Sequence, residues 1–103
     1  MAMRYKGKVC LVTASTQGIG LAIAQRFAEE GAEAVIICSR KKNNVSQAVE
    51  QIQKAGPNTI VDGLVCNVGK KADRDQLIEH IEKKYGRIDV LVPNAAVSTH
   101  MGN

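Results

Sequence analysis

Aromatic side chains are scarce in this chain: Tyr5, Phe27 and Tyr85 are all it has, with no tryptophan. That leaves little surface on which the bases of a single-stranded nucleic acid could stack. The net charge of +4 is modest, and the lysine pairs Lys70-Lys71 and Lys83-Lys84 read as solvated helix ends, so no nucleic-acid partner is expected. Paired cysteines are also missing. Cys10, Cys38 and Cys66 sit singly inside apolar runs, with no C-x-x-C spacing to hold a metal and an odd number that argues against a disulfide framework. They read as small buried core residues. Such thiols suit a reducing compartment, and the cytoplasm is the expected location, with the peroxisome open should a targeting signal lie beyond Asn103. No apolar run approaches the roughly 20 residues of a membrane span, and the opening MAMRYKGK has no apolar signal core, so no membrane partner is expected.

What is present is a rhythm. With 103 residues, 45% hydrophobic and 23% charged, the chain should form one core-bearing domain covering residues 1–103. Lys8 to Thr13, KVCLVT, is a short apolar run of the kind buried on both faces of a sheet. Gly18 to Glu30 then places Ile19, Ile23 and Phe27 four apart, backed by Ala24 and Ala28, which predicts a helix closed by Gly31. Ala34 to Ser39 is a second buried strand. Asn44 followed by Gln47 resembles a capping box, opening a helix with Val45, Ala48, Val49 and Ile52 on one face and Gly56-Pro57 at its end. Asn58 to Cys66 reads as a third strand, weakest at Gly63. Leu77, Ile81 and Tyr85 line a third helix closed by Gly86, and Ile88 to Val92 forms a fourth strand. Strands alternating with helices at intervals of roughly 25 to 30 residues predict consecutive right-handed crossovers and a parallel sheet in the order 3-2-1-4.

The stretch TASTQGIG, Thr13 to Gly20, joins the first strand to the first helix. A helix start offers unpaired backbone N–H groups and the positive end of a dipole, which together favour a phosphate. Gly18 and Gly20 would let the backbone approach it, and the hydroxyls of Thr13, Ser15 and Thr16 add donors. The same glycines also suit a tight strand-to-helix turn with no ligand, so the loop alone leaves both readings open. In this topology the strand order reverses beside strand one, which places a ligand at the C-terminal ends of strands one and four. The second strand ends in Ser39, then Arg40-Lys41-Lys42. An acid there would hold the ribose hydroxyls of NAD. A serine does not repel a 2′-phosphate, and a guanidinium can pair with one bidentately, which favours NADP.

TASTQGIG, Asn67-Val68 after the third strand, and IDVLVPNAA (Ile88 to Ala96) together resemble the N-terminal half of a short-chain dehydrogenase/reductase. The likeness runs from about Gly7 to the end of the chain. SRKKNN and the alanine in the glycine loop are most similar to the NADPH-dependent, carbonyl- and retinal-reducing members of that family. The resemblance implies a doubly wound α/β fold of Rossmann type. Thr13, Ser15, Gln17, Gly18, Ile19 and Gly20 would wrap the pyrophosphate and adenosine ribose. Ser39 and Arg40 would take the 2′-phosphate, Asn67 and Val68 would line the adenine, and Asn94 and Ala95 the adenine-side ribose and the join between strands one and four. A carbonyl substrate and a homo-oligomeric whole protein are further implications. Three departures from the family pattern stand out. Ala14 replaces the first loop glycine, tolerable if φ stays negative. Asn67 replaces a frequent aspartate and can still accept from and donate to adenine. Pro93 and Ala96 replace the asparagine and glycine of the usual NNAG, and Pro93 should mark where ladder pairing stops.

The family's catalytic serine, tyrosine and lysine lie beyond the fourth strand, so no catalytic residue is assigned within the chain. Tyr5 precedes the first strand, and Tyr85 lacks a lysine four residues on. His80, on the polar side of its helix, and His100 read as surface residues. The expectation is therefore the cofactor-binding part of a larger reductase, with no turnover by these residues alone. A non-catalytic NADP-binding or partner-binding module is the alternative. An S-adenosylmethionine-dependent methyltransferase is disfavoured, because it would want an acid at the end of strand two.

Overall fold

A computed structural model describes residues 3–13 and 17–93. The elements follow in the order β1 (Val9–Thr13), α1 (Gly18–Glu29), β2 (Ala34–Ser39), α2 (Lys42–Ala55), β3 (Ile60–Val65), α3 (Lys71–Lys84) and β4 (Val90–Val92). All strand pairs are parallel and the sheet order is β3-β2-β1-β4, as the alternation of strands and helices predicts. Register sets Thr13 beside Cys38 and Val12 beside Val92.

Side-chain alternation along the two central strands divides the core. Cys10 and Val12 of β1 and Val35 and Ile37 of β2 pack with Ala24, Phe27 and Ala28 of α1 and Ala48 and Ile52 of α2. Val9, Leu11, Ala34, Ile36 and Cys38 point the other way, onto Leu77 and Ile81 of α3. The two helices on one face and the third on the other follow from handedness. Right-handed crossovers lead from β1 out to β3, and the step back across β1 to β4 must place its helix opposite. Ile52 and Ile81 are fully buried, each contributing on the order of 1.5–3 kcal/mol of transfer free energy. The flanking strands are less covered. Ile60 and Val65 of β3 and Leu91 of β4 are exposed, and β4 pairs with β1 alone among the described residues.

Local expectations are corrected at several points. The helix after Ser39 starts at Lys42, with Lys41 as its extended N-cap and no side-chain capping bond. Asn44 therefore lies inside the first turn, and no capping box forms. The third strand starts at Ile60 because Gly56 to Thr59 make a turn: the Thr59 N–H donates to the Gly56 carbonyl, and its buried hydroxyl donates to Ala32 O at 2.8 Å. Gly63 is a close approach rather than a weak point. A Cβ there would stand 2.5 Å from Val45 Cγ1 and 2.7 Å from Val49 Cγ2. The fourth strand begins at Val90, since Asp89 serves the edge of β1 with its side chain as well as its backbone. Cys66 is buried just past the end of β3 rather than on it. Pro93 follows the last paired residue, as its missing donor leads one to expect.

Candidate nucleotide site

The C-terminal edge of the sheet gathers three junctions: β1 into α1, β2 into α2 and β3 into α3. At the first, Gln17 is the extended N-cap of α1 and Gly18 has φ +60. A Cβ on Gly18 would meet nothing within 4 Å, so the residue is glycine for its left-handed backbone and not for lack of room. The first helical bond runs from the Leu21 N–H to Gln17 O, which leaves the N–H groups of Gly18, Ile19 and Gly20 without helical acceptors. No acid stands in the first turn, so the dipole end is not neutralised by the chain's own carboxylates. Gly20 is buried, whereas Ile19 is 75% exposed. Ile19 thus leaves the apolar stripe that Ile23 and Phe27 keep, and presents its side chain at the rim of the site.

Thr13 closes β1. It is buried at the end of β1, and its hydroxyl faces the Val92 carbonyl of β4 at 3.5 Å, a long contact. The contact links the two strands at the point where the sheet order reverses. Ser15, Asn94 and Ala95, together with Ala14, Thr16, Ala96 and His100, lie outside the described residues.

At the second junction Ser39 is half-buried and Arg40, Lys41 and Lys42 are exposed. Arg40 makes no ion pair among the described residues, and α2 has no acid in its first turn. Three cations therefore meet the positive end of a helix dipole, an unfavourable arrangement that an anion would relieve. These donors, with no carboxylate among them, suit a phosphate.

The third junction holds Asn67 and Val68, both half-buried. Asn67 Oδ1 accepts from the Gly69 N–H at 2.9 Å, so accepting from an adenine amino group would have to use the oxygen's second lone pair. Two neighbours that the sequence reading passed over brace this loop. The Asn67 N–H donates to Asp73 Oδ2 at 2.8 Å, and a terminal N–H of Arg74 donates to Val68 O at 2.8 Å. An acid in the first turn of α3 reads in the sequence as a dipole complement, which hides this service to the loop.

Away from this edge, His80 is not the plain surface residue expected. Its Nε2 lies 2.8 Å from Asp62 Oδ2 on β3, and the Tyr85 hydroxyl donates to the same oxygen at 2.9 Å. Burial by itself would raise the Asp62 pKa, but the bonds from His80, Tyr85 and Lys84 outweigh it and hold the carboxyl below its ordinary value. Burial, then the bond to Asp62, pushes the Tyr85 phenol well up, so it stays protonated at neutral pH with its hydroxyl committed to Asp62. The three cysteines are buried, and none forms a disulfide. Burial pushes the thiols of Cys10 and Cys66 up to about 11, which keeps them unreactive. No group of His, Cys, Asp and Glu able to hold a metal ion occurs among the described residues, and no helix there is long and apolar enough to cross a membrane.

These three junctions on a sheet of order 3-2-1-4 have known counterparts. The family model for short chain dehydrogenases matches residues 8–103. Dehydrogenase/reductase SDR family member 4 of Rattus norvegicus is 54% identical over 96 residues, covering 93% of this chain and 33% of that protein. Tropinone reductase-like 3 of Erythroxylum coca is 53% identical over 95 residues, covering 92% of this chain and 36% of its own. The chain thus spans about a third of the length of the curated relatives it matches. Among solved structures, L-sorbose reductase from Gluconobacter frateurii, complexed with NADPH and L-sorbose, superposes with a TM-score of 0.80 at 31% identity, over 88% of this chain and 34% of that one. An NAD+-bound xylitol dehydrogenase gives 0.79 at 30%, over 85% of this chain and 33% of its own. The glycine loop, the parallel sheet and the matched residues agree, and the chain belongs to the short-chain dehydrogenase family.

Proposed function

We propose that this chain supplies the adenosine side of an NADP(H) site in a carbonyl reductase. NADPH, when bound, supplies the hydride. The chain's own residues bind and select the cofactor: the open N–H groups at the start of α1 face the pyrophosphate, Ser39 and Arg40 hold the 2′-phosphate, and Asn67 with Val68 lines the base. Ser15, Asn94 and Ala95 complete the assignment as the family resemblance has it. Among the structural neighbours one carries NADPH and another NAD+, so the fold by itself does not choose between them.

One observation carries the choice. Arg40, with Lys41 and Lys42, stands at the N-terminus of α2 with no carboxylate in its first turn and, for Arg40, no ion-pair partner among the described residues. A charge-assisted bond to phosphate is worth roughly 1.5–3 kcal/mol, or about ten- to hundredfold in affinity. Calorimetric titration of NADPH and NADH against wild type and Arg40→Ala tests it. Wild type should favour NADPH by about that factor, and the variant should lose most of the preference while binding NADH as before. Equal NADPH affinity in the two proteins would remove the assignment.

The remainder of the proposal rests on resemblance and composition. The whole enzyme reduces a small ketone or aldehyde, or runs the reverse oxidation of an alcohol, and assembles as a homo-oligomer. Buried cysteines without a disulfide support a reducing compartment, and we read the location as the cytoplasm.

A further inference from the structure

Resting on the NADP(H) reading above, we propose that Asp73 and Arg74 are positioning residues of the base subsite, holding the Asn67–Gly69 loop in shape from the first turn of α3. The loop begins where the ladder of β2 and β3 ends, at the bond from the Cys66 N–H to Ser39 O of 2.8 Å. Beyond it the backbone is tied locally. The Asn67 N–H goes to the Asp73 carboxylate at 2.8 Å, and the Val68 carbonyl accepts from the Arg74 guanidinium at 2.8 Å. The Gly69 N–H goes to Asn67 Oδ1 at 2.9 Å, and the Lys70 N–H to Asn67 O at 2.9 Å.

Two features set this apart from ordinary helix capping. The N-cap of α3, Lys70, makes no side-chain capping bond, and the acid in the first turn reaches out of the helix to Asn67. That residue's own side chain is already bent back onto Gly69. The second feature is the pairing. Asp73 and Arg74 are consecutive, so their side chains leave the helix about 100° apart, and they take opposite partners, one an N–H and the other a C=O. Both bonds are charge-assisted, which makes them stronger than neutral ones. Together they fix the peptide planes on either side of Asn67 and Val68, the two side chains assigned to the base. A Cβ at Gly69 would sit 3.1 Å from Asn67 Oδ1, so a side chain there would press on the oxygen that accepts from the Gly69 N–H.

The test uses two adenine ligands, adenosine 2′,5′-bisphosphate and 5′-AMP, titrated by calorimetry at about 0.3 M salt to screen the added charge. Arg40→Ala should weaken only the bisphosphate. Asp73→Ala and Arg74→Ala should weaken both ligands by the same factor, about three- to tenfold because the lost bond acts on the ligand only through the loop, leaving the ratio between them unchanged. Asp73→Asn keeps an acceptor oxygen and should recover most of the affinity. Arg74 is exposed, so its alanine variant carries the test should Asp73→Ala fail to fold. Variants that bind both ligands as wild type does, even with a lower melting temperature, would show the two residues to be structural only and overturn the proposal. A wild-type protein that binds neither ligand would instead remove the NADP(H) reading, and this inference with it.

Discussion

Val9 and Asp89 exchange two hydrogen bonds: the Val9 N–H donates to Asp89 Oδ2 at 2.8 Å, and the Asp89 N–H donates to Val9 O at 2.8 Å. The pair closes the N-terminal end of the β1–β4 seam, where a carboxylate replaces the next rung of the ladder. Arg87 holds the same carboxylate at 2.9 Å and donates to Gly7 O at 2.6 Å. The bond from Val9, followed by Arg87, keeps the Asp89 carboxyl below its ordinary pKa. Its contribution is therefore present above the unfolded-state value and is lost as pH falls through the folded one. Asp89→Ala should leave the buried Val9 N–H without this acceptor and lower the urea midpoint at neutral pH. An unchanged midpoint would mean that water replaces the carboxylate at no cost.

Asp62 makes a second pH-sensitive centre, on the opposite edge of the sheet. Its Oδ2 accepts from His80, Lys84 and Tyr85, which draws α3 against β3. Because its folded pKa is depressed, the unfolded chain takes up the proton first on acidification, and stability falls as pH drops below about 4. Asp62→Asn should cost about 1–2 kcal/mol at neutral pH, toward the lower end because Lys84 is half-exposed and screened. The gap from wild type should narrow between about pH 5 and pH 3, read by urea unfolding at each pH. A gap that stays constant over that range would assign the effect to packing.

Gly63 gives a packing prediction with a known direction. Alanine there would place its methyl 2.5 Å from Val45 Cγ1 and 2.7 Å from Val49 Cγ2, both on α2. Such overpacking typically costs about 1–3 kcal/mol. Trimming the opposing side chains should recover part of it, so Gly63→Ala with Val49→Ala should be less destabilised than the two single costs added together. Strict additivity in denaturant midpoints would show that α2 simply moves aside.

How far the sequence reaches can be seen at these residues. The runs Val9 to Thr13 and Ala34 to Ser39 are legible because burial on both faces leaves apolar side chains in unbroken series, and the helices that alternate with the strands fix handedness and order. The cation cluster after Ser39 is legible because it needs no tertiary partner. Gly63 misleads, since its absent side chain reads as weakness until α2 is seen lying across it. His80 reads as a surface residue because its partner Asp62 stands 18 residues away on another element. Asp73 and Arg74 escape for a related reason: what they hold is the backbone of another segment, which no residue pattern records. Thr13 is a different case, as a hydroxyl at the end of a buried strand can turn either to a ligand or across the sheet, and its position 3.5 Å from the Val92 carbonyl could not be read from the residues alone.

The end of β2 offers the sharpest test of the site. Ser39 is its last residue, half-buried, and its carbonyl accepts from the Cys66 N–H at 2.8 Å, so the backbone there is pinned and a new side chain should enter the existing geometry. Ser39→Asp sets a carboxylate beside Arg40. It would repel a 2′-phosphate, pair with the guanidinium that otherwise binds it, and accept from the free ribose hydroxyls of NADH. NADPH affinity should fall by more than the about ten- to hundredfold expected for Arg40→Ala, while NADH affinity rises, so that the order of preference reverses. The reversal should weaken with added salt, because the repulsion acts at a partly exposed site. Parallel titrations of both coenzymes at two salt concentrations would measure it. A Ser39→Asp variant that still prefers NADPH would place the 2′-phosphate away from the end of β2, whatever Arg40→Ala had shown.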